Sequence, residues 1–418
     1  MTNTHSFFRR VSLNSVWLLL ARVGSQGLML LFTVLVARRL GEAGLGQYAF
    51  IAAVLFVGNV FTTFGMDTIL IREIANRGQV KSAPMAQALQ LQLSLSVIFI
   101  LAVWLVGSRL PNQTAVSTRA LTLTMFSLLP LALTTVFSAA LRAFERMSLV
   151  LLVNLTTAVL QTGGVFVLFG QGGGLVGLAW VLVGSQVGTA VLAALLCVRL
   201  LPHFSITWSC LSPVGMWETA VIGLPLALLM VLAVIYQRTG IFILSLLQGD
   251  AATGYFSAAM RLIEAAKIVP YAIFGALFPI MVRQHHTRQV RAPLYGFFVS
   301  LGYVLVAAIG LNVLADWLIP ALFGNAYTPS VEVLRILAWS LLPFAATLTV
   351  SFQLVAQHQE RLVLVITFRT LVITAVLTFI GTRTAGLIGT AWAIVAGETL
   401  QAILLFIGFM QRYRTPKI

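Results

Sequence analysis

Charge is what this sequence has least of. Aspartate, glutamate, lysine and arginine make up 9% of its 418 residues, against 59% hydrophobic ones. A water-soluble fold of that size needs far more polar side chains to cover its surface, so lipid must be the main solvent. Cysteine is nearly absent as well. Cys197 and Cys210 are the only two, and one possible pair without metal-ligand spacing supports neither a disulfide framework nor a zinc site. The five histidines, His5, His203, His285, His286 and His358, fall in expected tails or loops with no nucleophile or ligand arrangement. His285 and His286 read as part of a solvated loop. No glycine-rich phosphate loop ending in lysine is present, so ATP is not expected to drive this chain directly. Neither an enzymatic site nor a cofactor is expected.

Acidic residues are scarcer than basic ones, 11 against 26, for a net charge of +15. The basic residues stand singly between hydrophobic runs and form no dense patch, which argues against nucleic acid as a partner. Their distribution reads as topology. A spanning helix needs about 20 apolar residues, and such runs lie at about 13–36, 46–70, 86–107, 119–141, 149–169 and 174–198, then at about 218–247, 254–282, 293–315, 331–357, 362–381 and 386–411. The first run follows Arg9 and Arg10 as a secretory signal would, but it is too long and lacks a cleavage site, so it is expected to be retained. The Asn112-Gln113-Thr114 triplet matches a glycosylation acceptor, a pattern too common to carry weight.

Twelve spans with the N-terminus inside place fifteen lysines and arginines in cytoplasmic loops and tails and six outside. The outer six are Arg38, Arg39, Arg109, Arg119, Arg335 and Arg383. This is the bias that orients membrane proteins, and it predicts a multi-pass protein of the cytoplasmic (inner) membrane with both termini cytoplasmic.

The chain also repeats itself. Gly41-Glu42-Ala43-Gly44-Leu45-Gly46-Gln47-Tyr48 returns as Gly249-Asp250-Ala251-Ala252-Thr253-Gly254-Tyr255-Phe256, an offset of 208. Ser127-Leu128-Leu129-Pro130 returns as Ser340-Leu341-Leu342-Pro343, an offset of 213, and Gly174-Leu175-Val176-Gly177 as Gly386-Leu387-Ile388-Gly389, an offset of 212. Three matches in one order and nearly one register indicate a duplicated six-helix unit. The expected fold class is therefore an all-α integral membrane protein of about twelve transmembrane helices. They form two six-helix bundles related by an axis along the membrane normal, spanning residues 1–205 and 206–418, with the polar stretch 199–217 as linker. Parallel repeats of this kind place substrate between the halves. The glycines of the first motif are expected to permit a tight turn and close helix entry, and Pro130, Pro225, Pro270, Pro279 and Pro343 to permit kinks.

Five basic residues fall inside the expected spans: Arg22, Arg238, Arg261, Lys267 and Arg369. Each costs about 2.5–3.5 kcal/mol at mid-helix on insertion scales, so they should face protein or a watery cavity. Glu264 shares a helix face with Arg261 and Lys267. Ion pairing with Asp67, Glu218, Glu264 or Glu398 is the structural alternative to a basic cavity. A basic cavity suits an anionic substrate, because arginine binds phosphate oxygens bidentately while staying charged. A carrier of cations would need an acid there instead, for which Asp67, Glu264 and Glu398 are the candidates.

Several stretches resemble a known family. The Ala37-Arg38-Arg39-Leu40-Gly41 run with Gly46 and Tyr48, the Phe64-Gly65-Met66-Asp67 to Arg72-Glu73 segment, Leu224-Pro225, and Gly254-Tyr255-Phe256-Ser257-Ala258-Ala259-Met260-Arg261 are similar to those of the polysaccharide (O-antigen-type) flippases of the multidrug/oligosaccharidyl-lipid/polysaccharide exporter superfamily. The resemblance implies a two-lobed bundle that alternates between inward-open and outward-open states while passing an undecaprenyl-diphosphate-linked oligosaccharide across the membrane. It further implies membrane lipid, a polysaccharide polymerase and glycosyltransferases as partners. A cation-coupled multidrug exporter of the same fold and a non-transporting assembly scaffold are the competing expectations.

Overall fold

The computed structural model describes residues 3–77, 82–107, 109, 114–201, 213–285, 291–357 and 359–414; for some helical residues, Arg22, Glu218 and Pro225 among them, it describes the backbone alone. Cys210, His203, His286, His358, Asn112, Gln113 and most of the stretch expected to link the halves lie outside the described residues. The described residues contain no strand. Their elements are α1 (Asn3–Thr63), α2 (Met66–Arg77), α3 (Ser82–Gly107), α4 (Ala115–Met125), α5 (Leu128–Ala143), α6 (Met147–Gly170), α7 (Leu175–Leu200), α8 (Pro213–Leu247), α9 (Gly249–Ala266), α10 (Ile268–His285), α11 (Arg291–Phe323), α12 (Pro329–Ala338), α13 (Leu341–Ala356) and α14 (Glu360–Arg414).

Among the described residues, eight stretches are long and apolar enough to cross a bilayer, or nine if the α12–α13 pair, bent by 41°, forms one span. This is fewer than the twelve spans expected from sequence, for two reasons. Gly24–Ile74 and Glu360–Gln411 each count once although they hold 51 and 52 residues, some 75 Å of helix at about 1.5 Å per residue against a hydrocarbon core of about 30 Å. Each contains a break, at Gly41 in α1 and at Ala385–Gly386 in α14. The charged α9–α10 region, with Arg261, Glu264 and Lys267, is not among the counted spans. Large exposed apolar side chains such as Val306, Val313 and Trp317 on α11 form a surface suited to lipid rather than water.

The three repeated motifs fall at corresponding structural positions. α4 gives way to α5 at Phe126–Ser127, and α12 to α13 at Trp339–Ser340. In both copies the serine hydroxyl donates to the carbonyl oxygen three residues back, Ser127 to Thr124 and Ser340 to Leu337, each at 2.6 Å. Pro130 and Pro343 then occupy the third residue of the new helix, where an N–H has no intrahelical acceptor to lose. Gly174 precedes α7 in extended backbone, and its counterpart Gly386 forms the break in α14 at φ 55°.

In the first motif Gly41 and Gly249, 208 residues apart, both adopt positive φ, 70° and 81°. An L side chain there costs about 1–2 kcal/mol. Gly41→Ala is therefore expected to lower the melting temperature of the detergent-purified protein, while Gly27→Ala, in helical backbone with open space around it, should leave it unchanged or raise it. Equal melting of the two variants would contradict this account of the Gly41 turn.

The chain divides into two compact units, Met1–Arg39 with Ile51–Val234, and Leu40–Phe50 with Ile235–Ile418. The first packs α2, α3, α5, α6 and α7 around Met66, Leu70, Met85, Leu89, Val136, Val153 and Ala193. Cys197 is buried in this core and its thiol donates to the Phe137 carbonyl oxygen at 3.5 Å. The second has an aromatic cluster of Phe274, Met281, Phe344 and Leu348 and a smaller one of Leu354, Ile366 and Leu405.

Leu40–Phe50 packs within the second unit because the two motif copies meet there without side chains. A Cβ on Gly46 would lie 1.8 Å from the Asp250 carbonyl oxygen, and one on Gly254 would lie 1.9 Å from that of Glu42. Both glycines and both acids are 208 residues apart, so each copy offers the other the same glycine and the same carbonyl. Gln47 Nε2 donates to Asp250 Oδ2 at 2.8 Å beside this contact.

Candidate functional site

The second unit gathers most of the ionisable residues expected inside the membrane. α8 carries Arg238, α9 carries Arg261 and Glu264, Lys267 ends α9, and α14 carries Glu398. α9 buries Phe256, Ala258, Ala259, Leu262 and Ile263, and the i, i+3 spacing of Arg261 and Glu264 puts both on its more polar side. Glu264 lies between two guanidiniums. Its Oε1 accepts from Arg238 Nη1 at 2.8 Å and its Oε2 from Arg261 Nη1 at 3.2 Å. Next to this triad Lys267 Nζ donates to Glu398 Oε1 at 3.0 Å and stands 4.4 Å from the centroid of the Phe344 ring, a cation–π contact. Tyr271 meets the same ring edge-on at 5.3 Å. Tyr48, from Leu40–Phe50, lies within electrostatic reach of Arg261, Arg238 and Glu264.

Two positive charges share one negative in the triad, leaving it at +1, while Lys267 and Glu398 cancel. All five side chains are between 11% and 28% exposed, which keeps their charges largely out of bulk water. Arg261 Nη2 is buried and has no hydrogen-bond partner among the described residues. A buried donor left in that state costs about 1–3 kcal/mol. The three residues of the triad thus sum to +1, and Arg261 has an N–H with no acceptor among the described residues, both suited to an anion.

None of the other expected site residues has a described hydrogen bond or ion pair with this cluster. Arg369 is exposed on α14 beside exposed Phe368, Val372 and Ile373, with no ion pair among the described residues. Arg22 is helical, and its side chain lies outside what is described. Asp67 belongs to the first unit, where its Oδ2 is 3.8 Å from Arg142 Nη1. Tyr48, Gln47 and Phe344 were not singled out by charge or spacing. The first two follow Gly46 in the repeated motif, and Tyr48 also belongs to the stretch that carries the family resemblance.

The family described as "Polysaccharide biosynthesis protein" matches residues 11–285. The chain belongs to this family. No curated protein matches it in sequence. Its fold is shared with solved transporters of the MOP superfamily. An inward-facing multidrug resistance MATE family transporter superposes with a TM-score of 0.78 at 17% identity, covering 93% of this chain and 94% of that one. The lipid II flippase MurJ in an inward closed conformation gives 0.77 at 12% identity, covering 94% and 87%. A MOP superfamily transporter from Pyrococcus furiosus, described as having a binding pocket of reverse polarity, gives 0.68 at 18%, covering 96% and 95%. This family member is thus an all-helical, multi-pass membrane protein of the MATE and MurJ fold.

Proposed function

We propose that this protein is a flippase that carries an undecaprenyl-diphosphate-linked oligosaccharide across the cytoplasmic membrane by alternating access, for polysaccharide biosynthesis. The observation that carries this reading is the triad, in which one carboxylate, Glu264, meets two arginines and Arg261 has a buried N–H with no acceptor among the described residues. A diphosphate supplies acceptor oxygens for that N–H and competes with Glu264 for both guanidinium forks. The Lys267–Glu398 pair is a second place where an incoming anion exchanges with a carboxylate. The proposal rests on Arg238, Arg261 and Lys267, and the lipid tail stays in the bilayer. The family and the MurJ-like fold support a lipid-linked substrate. Glycosyltransferases and a polymerase are the proteins expected to act before and after it.

Cation-coupled multidrug export is the competing reading on the same fold. Against it, each candidate acid already faces a cation: Asp67 meets Arg142, Glu264 meets Arg238 and Arg261, and Glu398 meets Lys267. No carboxylate of the three is left over for a drug. The test is Arg238→Gln with Arg261→Gln in cells that depend on this protein for surface polymer. Loss of two charge-assisted contacts predicts a fall in export on the order of a hundredfold, with normal membrane insertion. Full export by the double variant, or energy-dependent dye efflux from cells without any sugar-lipid pathway, would overturn the proposal.

A further inference from the structure

We propose that the first unit carries a site for the phosphate headgroup of an anionic membrane phospholipid, distinct from the charged cluster of the second unit and independent of the flippase reading. A pocket of about 920 Å³ lies at the ends of α3 and α4, lined among the described residues by Trp104, Leu105, Arg109, Thr118, Arg119 and Thr122, with Ala115, Leu123 and Val176 on its apolar side. Arg109 and Arg119 are exposed and make no ion pair among the described residues. Two guanidiniums lining one pocket make it locally positive, a charge that an anion bound there would neutralise.

The loop charges make the pairing more telling. Arg109 and Arg119 are two of only six basic residues that the sequence assigns to the outer side, where the bias disfavours them. Their guanidiniums suit phosphate oxygens better than a lysine ammonium would, and the Thr118 hydroxyl beside them offers a further donor.

The apolar part of the pocket selects a lipid over a soluble anion. Trp104 and Leu105 are 60% and 57% exposed, and with Leu123 and Val176 they form a wall that free phosphate would not use. A phospholipid uses both parts, with its phosphate between the arginines and the start of its chains along the wall. Tryptophan at headgroup depth is where bilayers favour that residue. The volume lies within the range that holds a drug-sized group, about 300–1,000 Å³, and far exceeds what one phosphate fills.

The test is native mass spectrometry of the full chain, stripped of lipid in detergent and titrated with phosphatidylglycerol, phosphatidylcholine, a polyprenyl diphosphate or inorganic phosphate. Wild-type protein should take up one phosphatidylglycerol more tightly than phosphatidylcholine by about tenfold or more. Arg109→Ala with Arg119→Ala should lose that preference, and the corresponding double lysine variant should keep part of it. Monodisperse elution and an unchanged helical signal establish that the variants are folded. Equal uptake of the two phospholipids by wild type, or an unchanged preference in the folded double alanine variant, would overturn the site. Displacement by millimolar inorganic phosphate would identify a soluble-anion site instead. Tighter uptake of the polyprenyl diphosphate, lost in the same variant, would reassign the pocket to that class of lipid.

Discussion

Replacing Glu264 by glutamine is expected to destabilise the protein more than replacing either of its arginine partners. The glutamine leaves Arg238 and Arg261 charged, close together and without their shared counter-ion. Removing one side of a buried ion pair costs about 3–5 kcal/mol, because the partner remains charged and desolvated. Since the three side chains are 19–28% exposed, part of that is screened, and about 2–3 kcal/mol is the expected loss. Arg238→Gln alone leaves Arg261 and Glu264 as a neutral pair and should cost less. The sharper expectation concerns the double variant. Glu264→Gln with Arg238→Gln removes one charge of each sign and should melt above the Glu264→Gln single variant, a strongly non-additive cycle. Melting curves of the four proteins in one detergent test it, and simple additivity would show that the triad does not act as a unit.

The second large effect is expected at the glycine contact. In Gly46→Ala and Gly254→Ala the new methyl would stand 1.8 Å and 1.9 Å from a backbone carbonyl oxygen. A clash with a flexible side chain can be relieved by a rotamer change, but here the obstacle is main chain. Ordinary contact begins near 3.4 Å, so the two segments would have to part by roughly 1.5 Å. Such overpacking costs about 1–3 kcal/mol or more, and the parting would also stretch the Gln47–Asp250 hydrogen bond. Either variant should melt well below wild type or fail to accumulate in the membrane. Gly302→Ala, which meets open space on α11, is the matched control. Normal melting of both motif variants would mean that the contact is not closed in the protein.

The all-helical membrane architecture was legible in the sequence because composition alone determines the solvent and helices can satisfy their backbone in lipid. The motifs were legible because a glycine with positive φ and a proline in the first turn of a helix leave marks of residue type. What those marks did not give was partnership. Arg238 has no acid near it on its own helix, and its counter-ion, Glu264, comes 26 residues later on another helix. Lys267 and Glu398 are 131 residues apart. Spacing along a chain says which residues share a helix face, but which faces meet depends on packing. Of the two readings that the sequence left open, ion pairing describes Arg238, Arg261 and Lys267, which meet Glu264 and Glu398. The number of spans depends on where helices are cut: the sequence divides the chain near Gly41 and Gly386, where helix runs on through a break, and it counts 254–282 despite the charges of α9.

The reciprocal glycine contact has a consequence for how this chain could have evolved. Most apolar positions in either half tolerate exchange, because one lipid-facing leucine, valine or phenylalanine serves about as well as another. The motif at residues 41–48 and 249–256 has no such freedom. Each copy supplies the bare backbone against which the other's carbonyl rests, so a side chain gained in one would be rejected by its twin. Each segment is thus the other's constraint, and that mutual dependence accounts for why their likeness can still be read in the letters.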